Sequence, residues 1–300
     1  MNSSNPHSLL LDRCRLCGSH KLRWFDRDYR DTEISRCIDC GVCFSNPQPT
    51  EAQLNSLYSD YDGRSRADRK VETAVVDAKP SGERELPGKE RNVPSNSRHD
   101  YNFGLIERFI SPGRVLSVGC GGGGDLLAAR RRGWEVEGLE IDETRAAKTK
   151  ERTGCPVKVG DFLELDPAES TYECVYMNHV LEHPLDPGAF IRKTHELLSP
   201  TGIFWVAAPN IASITNQLKT LAGRLRLKER RGKHYACWHH LFFFNPARLS
   251  ALLEDRYGFD VVCSQGELKP KQGRVSRLRE RTYRTLPNLK SNFQIVAQKR

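Results

Sequence analysis

The glycine-rich segment at residues 119–124 is the feature that most restricts what this chain can fold into. It follows a short apolar segment, Arg114–Val118 (RVLSV), and precedes a helical pattern at 125–132. Glycine adopts the positive φ angles of sharp turns and lets a ligand approach the backbone closely, and the N-terminus of the following helix favours anionic groups. A strand, a glycine turn and a helix in this order predict the first unit of a ligand-binding α/β sheet.

Strand and helix patterns alternate from Tyr101 onward, which predicts parallel βαβ units. Seven segments have the apolar character of strands: 114–118, 135–141, 157–159, 172–177, 203–208, 259–264 and 293–297. Helical patterns cover 101–110, 125–132, 143–153, 190–198 and 246–255. We expect an α/β fold: a Rossmann-like, mostly parallel seven-stranded sheet with helices on both faces, preceded by a small N-terminal zinc ribbon-like module.

Composition divides the chain into three parts. Residues 1–61 carry closely spaced cysteines and form the predicted zinc-binding module. Residues 62–100 are rich in charged residues, Ser, Pro and Gly and have few large apolar side chains. Because such a segment buries too little apolar surface to offset its ordering entropy, we predict a largely disordered linker. Residues 101–300 are the predicted sheet domain.

The apolar residues are too dispersed for a membrane protein. No run approaches the roughly 20 apolar residues that cross a bilayer, and the N-terminus lacks the basic and apolar regions of a secretory signal. We therefore expect a cytoplasmic protein whose ten cysteines are reduced, so that paired cysteines are read as metal ligands before disulfides.

Positive charge is concentrated in two C-terminal segments. Residues 219–233 contain seven Lys or Arg against one acid, and residues 269–290 contain eight against one, whereas the whole chain has a net charge of +9. These two segments carry +13 and the rest sums to −4. The pattern indicates local contact with an anionic partner or a solvated charged face, and not a uniformly basic nucleic-acid binder.

Two C-x-x-C-G motifs predict a structural zinc site. The first pair is Cys14 and Cys17, the second is Cys37 and Cys40, and 19 residues separate the pairs. Each pair can grip one side of a tetrahedral zinc ion, and four thiolates leave no open position for catalysis. A redox pair or unmetallated thiols are the alternatives, and Cys43 is a spare that could replace Cys40.

Two acids follow successive predicted strands. Glu140 ends the second strand, 21 residues after Gly119, and Asp161 follows the third. A carboxylate in the first position can accept hydrogen bonds from both ribose hydroxyls, and Asp161 could reach an adenine amino group. The glycines also satisfy G-x-G-x-x-G, so a nicotinamide dinucleotide site stays open at this point.

The runs VLSVGCGGGGDLL, VEGLEID, VGDF, YECVYMNHVLEH and LLSPTGIFWVAAPN resemble class I S-adenosylmethionine-dependent methyltransferases. The resemblance covers residues 101–265 and is closest to the branch that includes 3-demethylubiquinone O-methyltransferase and many sugar and natural-product methyltransferases. It implies a cofactor site made of Gly119, Cys120, Gly121 and Gly123 around the methionine and ribose, Glu140 with Ile141 at the ribose, Asp161 with Phe162 at the adenine, and Asn178 at the methionine end. One departure is Ser117, where the family usually has an Asp that contacts the methionine ammonium directly or through water.

The segment NHVLEH follows the fourth strand and carries the candidate catalytic residues. His179, Glu182 and His183 share one face if the segment is helical. They can hold the loop together, provide a general base, or bind a divalent metal, as the resemblance implies for relatives with Glu in place of His179. The segment WHHLFFF adds His239 and His240, of which His240 could lie over the pocket.

The sequence therefore predicts a methyltransferase with S-adenosylmethionine and a structural zinc ion, acting through His179, His183 or His240. The expected acceptor is a small or sugar-bearing molecule that is methylated on oxygen, nitrogen or carbon. An acidic acceptor such as a sugar nucleotide would match the basic segments. Two alternatives stay open. One is an RNA methyltransferase, although residues 11–61 contain seven basic and eight acidic residues. The other is a non-catalytic cofactor-binding or scaffold protein.

Overall fold

A computed structural model describes residues 8–54, 98–168, 171–225, 239–270 and 275–300, together with residues 227, 232 and 235–237. Residues 62–97 of the predicted linker lie outside them, and so do residues 226, 228–231 and 233 of the basic segment at 219–233.

The N-terminal module is built from short antiparallel strands. These are β1 (Ser8–Leu9), β2 (Leu22–Arg27), β3 (Glu33–Cys37), β4 (Cys43–Ser45) and β5 (Gln48–Pro49). Strands β2, β3 and β4 form a meander, and β1 pairs with β5. The first cysteine pair precedes β2, and the second spans the turn between β3 and β4, so the meander brings the two pairs to the same end of the module.

The remaining elements alternate as the sequence predicts. In chain order they are α1 (Arg98–Ile106), β6 (Arg114–Val118), α2 (Gly124–Arg131), β7 (Glu135–Glu140), α3 (Glu143–Thr153), β8 (Val157–Val159), β9 (Tyr172–Asn178), α4 (Pro187–Leu197), β10 (Leu198–Pro209), α5 (Ile214–Arg224), β11 (Phe242–Phe243), α6 (Pro246–Arg256), β12 (Phe259–Gly266), α7 (Arg277–Thr285) and β13 (Asn292–Lys299).

Seven of these strands form one sheet in the order β12-β13-β10-β9-β6-β7-β8. The five strands from β10 to β8 are parallel, and β13 runs antiparallel to both β10 and β12. One buried cluster includes residues of α1 and α2, and a second includes residues of α4 and α6. The predicted mostly parallel, seven-stranded sheet is confirmed. Its parallel strands place the ends of β6, β7, β8 and β9 at one edge.

Some element boundaries differ from the expectation. Helix α1 covers Arg98–Ile106 instead of 101–110. The residues added at its start make polar contacts, which apolar periodicity does not register: the guanidinium of Arg98 pairs with the buried carboxylate of Glu267 at 2.7 Å. Strand β10 extends to Leu198–Pro209 instead of 203–208. Its extension is held by β9 on one side and by β13 on the other.

Strand β11 joins the N-terminal module to the sheet domain. Phe242 and Phe243 pair antiparallel with Phe44 and Cys43 of β4, which makes β11 the fourth strand of the module's sheet. The sheet of the module is therefore not confined to residues 1–61, because Phe242 and Phe243 supply its fourth strand.

The same junction is apolar and hydrogen-bonded. A single buried cluster includes Leu11 and Phe44 of the module and Phe204 of the sheet domain. The hydroxyl of Tyr257 donates to the carbonyl of Leu16 at 2.6 Å, so the residue after α6 holds the first cysteine loop. Within the part of the chain that the structure describes, no helix is both long and apolar enough to cross a membrane.

Candidate functional site

The glycine bend after β6 is held in the left-handed backbone region. Gly119, Gly121 and Gly123 have φ angles of 60°, 49° and 64°, which L side chains rarely adopt. Gly123 is also restricted by packing, since a Cβ there would lie 2.8 Å from the methyl of Thr149 and 2.7 Å from that of Thr153 on α3. The bend can therefore run close to α3 only with glycine at this position.

Glu140 connects the bend to the end of β7. Its side chain is 4% exposed, and its Oε2 accepts a hydrogen bond of 3.1 Å from the N–H of Gly121. Its Oε1 accepts from the N–H of Ile141 and lies 3.8 Å from the guanidinium of Arg145. The carboxylate thus faces the bend from the neighbouring strand.

Asp161 lies at the end of β8. Its carboxylate accepts a 2.8 Å hydrogen bond from the N–H of Leu163 and so caps the short 3-10 turn at Phe162–Glu164. This cap fixes the turn that follows β8. The Phe162 ring is buried, and its centroid lies 5.1 Å from that of Phe190.

A cavity of about 420 Å³ opens between these elements, a volume in the range of small-molecule sites. Its lining includes six predicted site residues, namely Gly119, Glu140, Ile141, Asp161, Phe162 and His179, and also the predicted catalytic His183. The acids and the glycine bend thus enclose a hollow that is large enough for an adenosine group. An apolar wall and two carboxylates suit a ligand with an aromatic base and a hydroxylated sugar.

Four predicted cofactor residues do not line this cavity. Cys120 is 5% exposed, and burial raises the pKa of its thiol to about 12, so it packs inside as a neutral group. Gly121 and Gly123 give the bend its left-handed backbone but do not line the cavity. Asn178 is the last residue of β9, and its Oδ1 is buried without a hydrogen-bond partner among the described residues.

A cluster of histidines surrounds the carboxylate of Glu182 beside the cavity. Glu182 is 0% exposed, its Oε1 lies 3.1 Å from Nδ1 of His179, and its Oε2 has no hydrogen-bond partner among the described residues. Because a carboxylate only accepts hydrogen bonds, this bond requires the His179 tautomer with its proton on Nδ1. The Nε2 atom of His179 then carries the lone pair. His179 itself has a φ of 57°, a backbone strain of the kind that collects at functional sites.

His183 is held in the same tautomer by the backbone. Its Nδ1 lies 2.8 Å from the carbonyl oxygen of His239, which only accepts, so Nδ1 carries the proton and Nε2 is free to take one or to bind a metal. Ligand atoms of Glu182, His183 and His240 lie within 4.8 Å of one another. The cluster can therefore act as a proton acceptor or hold a divalent cation.

His239 and His240 are neutral at physiological pH. Burial, together with the neighbouring imidazoles, lowers the pKa of His239 to about 3 and that of His240 to about 2. Their ring centroids are 4.0 Å apart. His240 packs 5.1 Å from His183, centroid to centroid, but does not line the cavity.

The four predicted metal ligands meet in the N-terminal module. The sulfurs of Cys14 and Cys40 are 3.6 Å apart, those of Cys17 and Cys37 are 3.4 Å apart, and all four lie within 4.8 Å of one another. A tetrahedral ion with sulfur at about 2.3 Å requires sulfur separations of about 3.8 Å. Gly18 and Gly41 follow each pair with φ angles of 74° and 76°. The arrangement fits a zinc ion.

Three polar or N-terminal residues of the cavity lining, Arg145, Glu51 and Leu54, are among those that sequence reasoning did not identify. Arg145 lies one turn into α3, beside Glu140. Glu51 and Leu54 reach the cavity from the N-terminal module. No motif marks the last two, because their position depends on how the module packs against the sheet.

A family described as a methyltransferase domain matches residues 95–264, which is more than half of the chain. The chain belongs to this methyltransferase family. Its class I fold and its S-adenosylmethionine-dependent activity, both expected from the sequence, are confirmed.

Two curated relatives agree with this assignment. The methyltransferase is 29% identical over 191 residues to a probable S-adenosylmethionine-dependent methyltransferase of Mycolicibacterium smegmatis, covering 62% of this chain and 67% of that protein. It is 30% identical over 164 residues to the ubiquinone biosynthesis O-methyltransferase of Paramagnetospirillum magneticum. That alignment covers 52% of this chain and 64% of the relative, which is less than two thirds of its length.

Two crystal structures share the fold of the methyltransferase. The first is a 1,6-didemethyltoxoflavin-N1-methyltransferase of Burkholderia thailandensis, with a TM-score of 0.52 at 18% identity over 87% of this chain and 97% of that one. The second is a magnesium protoporphyrin IX methyltransferase of Synechocystis, with a TM-score of 0.51 at 14% identity over 82% and 100% of the two chains.

We expect Gly123→Ala to destabilise the methyltransferase more than Gly133→Ala. Both glycines have positive φ angles, but a Cβ at Gly133 meets no atom within 4 Å. The control should lose about 1–2 kcal/mol from left-handed strain, and Gly123→Ala about 1–3 kcal/mol more from overlap with α3. Urea unfolding measures both. Equal losses would mean that the bend does not depend on its contact with α3.

Proposed function

We propose that the methyltransferase transfers a methyl group from S-adenosylmethionine to a hydroxyl of a small-molecule or sugar-bearing acceptor. The observation that carries this proposal is the pair of His179 and Glu182 at the wall of the cavity. An imidazole with a free Nε2, backed by a fully buried carboxylate, is suited to removing a proton from a hydroxyl. The small-molecule class is supported by the relative that is a ubiquinone biosynthesis O-methyltransferase and by the structure of a 1,6-didemethyltoxoflavin-N1-methyltransferase.

The cofactor site we propose consists of the predicted residues. Glu140 accepts from the ribose hydroxyls, Asp161 and Phe162 contact the adenine, and Gly119, Cys120, Gly121 and Gly123 form the turn around the sulfonium side, with Ile141 and Asn178 beside it. The cavity between the bend and the two acids supports this assignment. When bound, S-adenosylmethionine supplies an already activated methyl group, so the protein mainly has to align the acceptor.

His179 is the general base in this proposal. The acceptor proton moves to Nε2 of His179, and the imidazolium is stabilised by Glu182, 3.1 Å from the opposite ring nitrogen. His183 has the same tautomer but a 4.0 Å separation from the Glu182 carboxylate. His183 is the second candidate for the general base. His240, a neutral residue, packs against it. A divalent cation held by Glu182, His183 and His240 is the competing arrangement.

The first test of this function is product discovery. Purified enzyme is incubated with isotope-labelled S-adenosylmethionine and, in separate reactions, with fractionated cell metabolites or with total RNA, and mass spectrometry detects the labelled methyl group. We expect labelled hydroxylated small molecules. Label recovered only in RNA, with binding that weakens steeply with salt, would reject the small-molecule acceptor in favour of the nucleic-acid alternative. No label in any fraction, despite cofactor binding, would favour a non-catalytic protein.

Once the acceptor is identified, kcat can be measured for variants of the proposed base. We expect His179→Gln to lower kcat by roughly 10²–10⁴-fold without weakening the binding of S-adenosylhomocysteine. Glu182→Gln should also lower kcat, because the imidazolium loses its carboxylate. The control is His20→Gln, an exposed histidine of the N-terminal module. A larger loss in His183→Gln would reassign the base. Activity that a chelator removes and Mg²⁺ restores would replace the base with the metal arrangement.

The N-terminal module, residues 1–61 with β11, is in our proposal a structural zinc domain that closes one side of the cavity. The four-sulfur cluster supports zinc, and Leu54 and Glu51 support the placement. Residues 62–100 would link it to the catalytic domain at 101–300. Zinc thiolates persist in a reducing compartment such as the cytoplasm, which is where we place the protein.

Cys14→Ser should remove the zinc ion. We expect about one zinc per chain in the wild type and less than about a fifth of that in the variant, with a lower melting temperature, because three ligands hold zinc poorly. Cys43→Ser is the matched control: the residue is buried in the same module but lies outside the four-sulfur cluster. Elemental analysis of purified protein measures the metal. Unchanged zinc in Cys14→Ser would reject the assigned ligands.

An anionic acceptor is supported by an arginine pocket on the module. Arg23 and Arg36 are opposite each other on β2 and β3, where like charges destabilise a sheet, and neither makes an ion pair with an acid among the described residues. Arg224 of α5 lies over the ring of Phe25, 5.6 Å from its centroid, and 3.7 Å from Asp26. The three arginines line an open cavity together with Phe25 and the half-exposed Trp24.

We expect uridine diphosphate, used as a probe for a sugar nucleotide, to bind the wild type and to bind Arg23→Glu/Arg36→Glu at least about tenfold more weakly. Arg277→Glu/Arg281→Glu makes the same charge change on α7 and is the control. Calorimetry measures both affinities. Equal weakening in the two double variants would indicate a general charge effect, and no binding to the wild type would remove the sugar nucleotide from the proposal.

A further inference from the structure

Helix α5 exposes its large apolar side chains to solvent. They recur every three or four positions, which places them on one side of the helix. These residues, which are 50–61% exposed, are Ile214, Leu218, Leu221 and Leu225. A helix at the surface of a globular domain normally turns such a stripe toward the core.

The inward side of α5 is polar or small instead. The side-chain amide of Asn216 donates to the carbonyl of Asn210 at 2.9 Å. The hydroxyls of Thr220 and Tyr235 are 3.1 Å apart, and Gly223 is buried. The polarity of α5 is therefore inverted relative to a helix that contributes to a core, and its apolar stripe is left for a partner.

A second group of exposed leucines adjoins α5. The 3-10 turn at Pro287–Leu289 contacts both α5 and α7. Among the described residues, fifteen large apolar side chains are exposed, and eight of them belong to these elements and the residues next to them. We call these eight the α5–α7 surface: Ile214, Leu218, Leu221, Leu225, Leu227, Leu278, Leu286 and Leu289. A concentration of exposed apolar side chains marks an interaction surface.

The α5–α7 surface is also positively charged. Residues 269–290 contain eight Lys or Arg and one acid. That acid, Glu280, pairs with Arg108 in the loop after α1, whereas Arg277 and Arg281 of α7 are exposed. Exposed leucines among arginines match the interface of an anionic lipid bilayer, where apolar side chains enter the acyl boundary and cations meet the phosphates.

Charge also distinguishes a bilayer from a second copy of the chain. A two-fold dimer brings the same surface of both chains together, so the arginines of one α7 would lie against those of the other. Like charges brought together across an interface are unfavourable. An anionic bilayer accommodates the leucines and the arginines at the same time.

We propose that the α5–α7 surface docks the methyltransferase on an anionic phospholipid bilayer, at the interface and without crossing it. Helix α5 follows the end of β10, which is parallel to β9, so it leaves the sheet at the edge where the cavity opens. Docking would hold that edge near the bilayer. The inference goes beyond the proposed reaction and is independent of the acceptor, of His179 and of the zinc ion.

The test is flotation of the full-length enzyme with two kinds of vesicle. One kind is phosphatidylcholine alone, and the other contains about a third of anionic phosphatidylglycerol. We expect the anionic vesicles to bind the wild type at least about tenfold more tightly. Added salt should weaken this binding, because it screens the attraction between the arginines and the phosphates.

Leu218→Ser/Leu221→Ser should lower the affinity for anionic vesicles at least about tenfold, because the bilayer contact loses two apolar side chains. The matched control is Leu9→Ser/Leu10→Ser, which makes the same change at exposed leucines of the N-terminal module. We expect the control to bind as the wild type does. Thermal melting of each variant checks folding.

The charge of the surface is tested separately. Arg277→Glu/Arg281→Glu should weaken binding to anionic vesicles at least about tenfold. Lys148→Glu/Lys150→Glu makes the same charge change on α3, which packs at the other end of the sheet, and is the control. An equal loss in the two variants would mean that only the net charge of the chain matters.

Hydrogen exchange of the wild type locates the contact without any substitution, and it decides if the leucine variant does not fold. Anionic vesicles should slow amide exchange at residues 214–225 and leave residues 8–10 unchanged. The inference is overturned by a wild type that does not bind anionic vesicles, by equal binding to both kinds of vesicle, by equal losses in the leucine variant and its control, or by protection elsewhere in the chain. Dimerisation through α5 without vesicle binding would assign the surface to a second copy.

Discussion

The close approach of the glycine bend to α3 is the constraint on which the site depends. The bend turns away from β6 with three residues in the left-handed region, and it can do so only because Gly123 has no side chain to meet the threonines of α3. That approach brings the N–H of Gly121 within 3.1 Å of Glu140 at the end of the next strand. One packing contact therefore fixes both the turn and the carboxylate opposite it, and the cavity lies between them.

The cysteine module is part of the same structural unit as the catalytic sheet. Strand β11 completes the module's sheet, Tyr257 holds the first cysteine loop, and one apolar cluster runs through both parts. Residues 239 and 240 immediately precede β11, so the strand that anchors the module also places the histidines beside Glu182. In our proposal, loss of zinc would therefore disturb the active site although zinc takes no part in the chemistry.

Electrostatics at the cavity follow from burial. Glu182 is fully buried and faces His179 and His183, whose tautomers are set by their Nδ1 partners. His239 and His240 stay neutral because burial opposes charging. The ligand atoms of Glu182, His183 and His240 therefore meet in a region of low polarity, within 4.8 Å of one another.

The sequence by itself determined the strand and helix alternation, the glycine bend, the acids at the ends of β7 and β8, and the four cysteines, because each depends on local periodicity or on fixed spacing along the chain. The tertiary structure decided the rest. The hydrogen bond of Ser117 to Asp125, the contact of Glu51 and Leu54 with the cavity, and the use of β11 as a strand of the module all join residues that no spacing rule connects. The start of α1 at Arg98 also depended on buried polar contacts, which hydrophobic periodicity does not record.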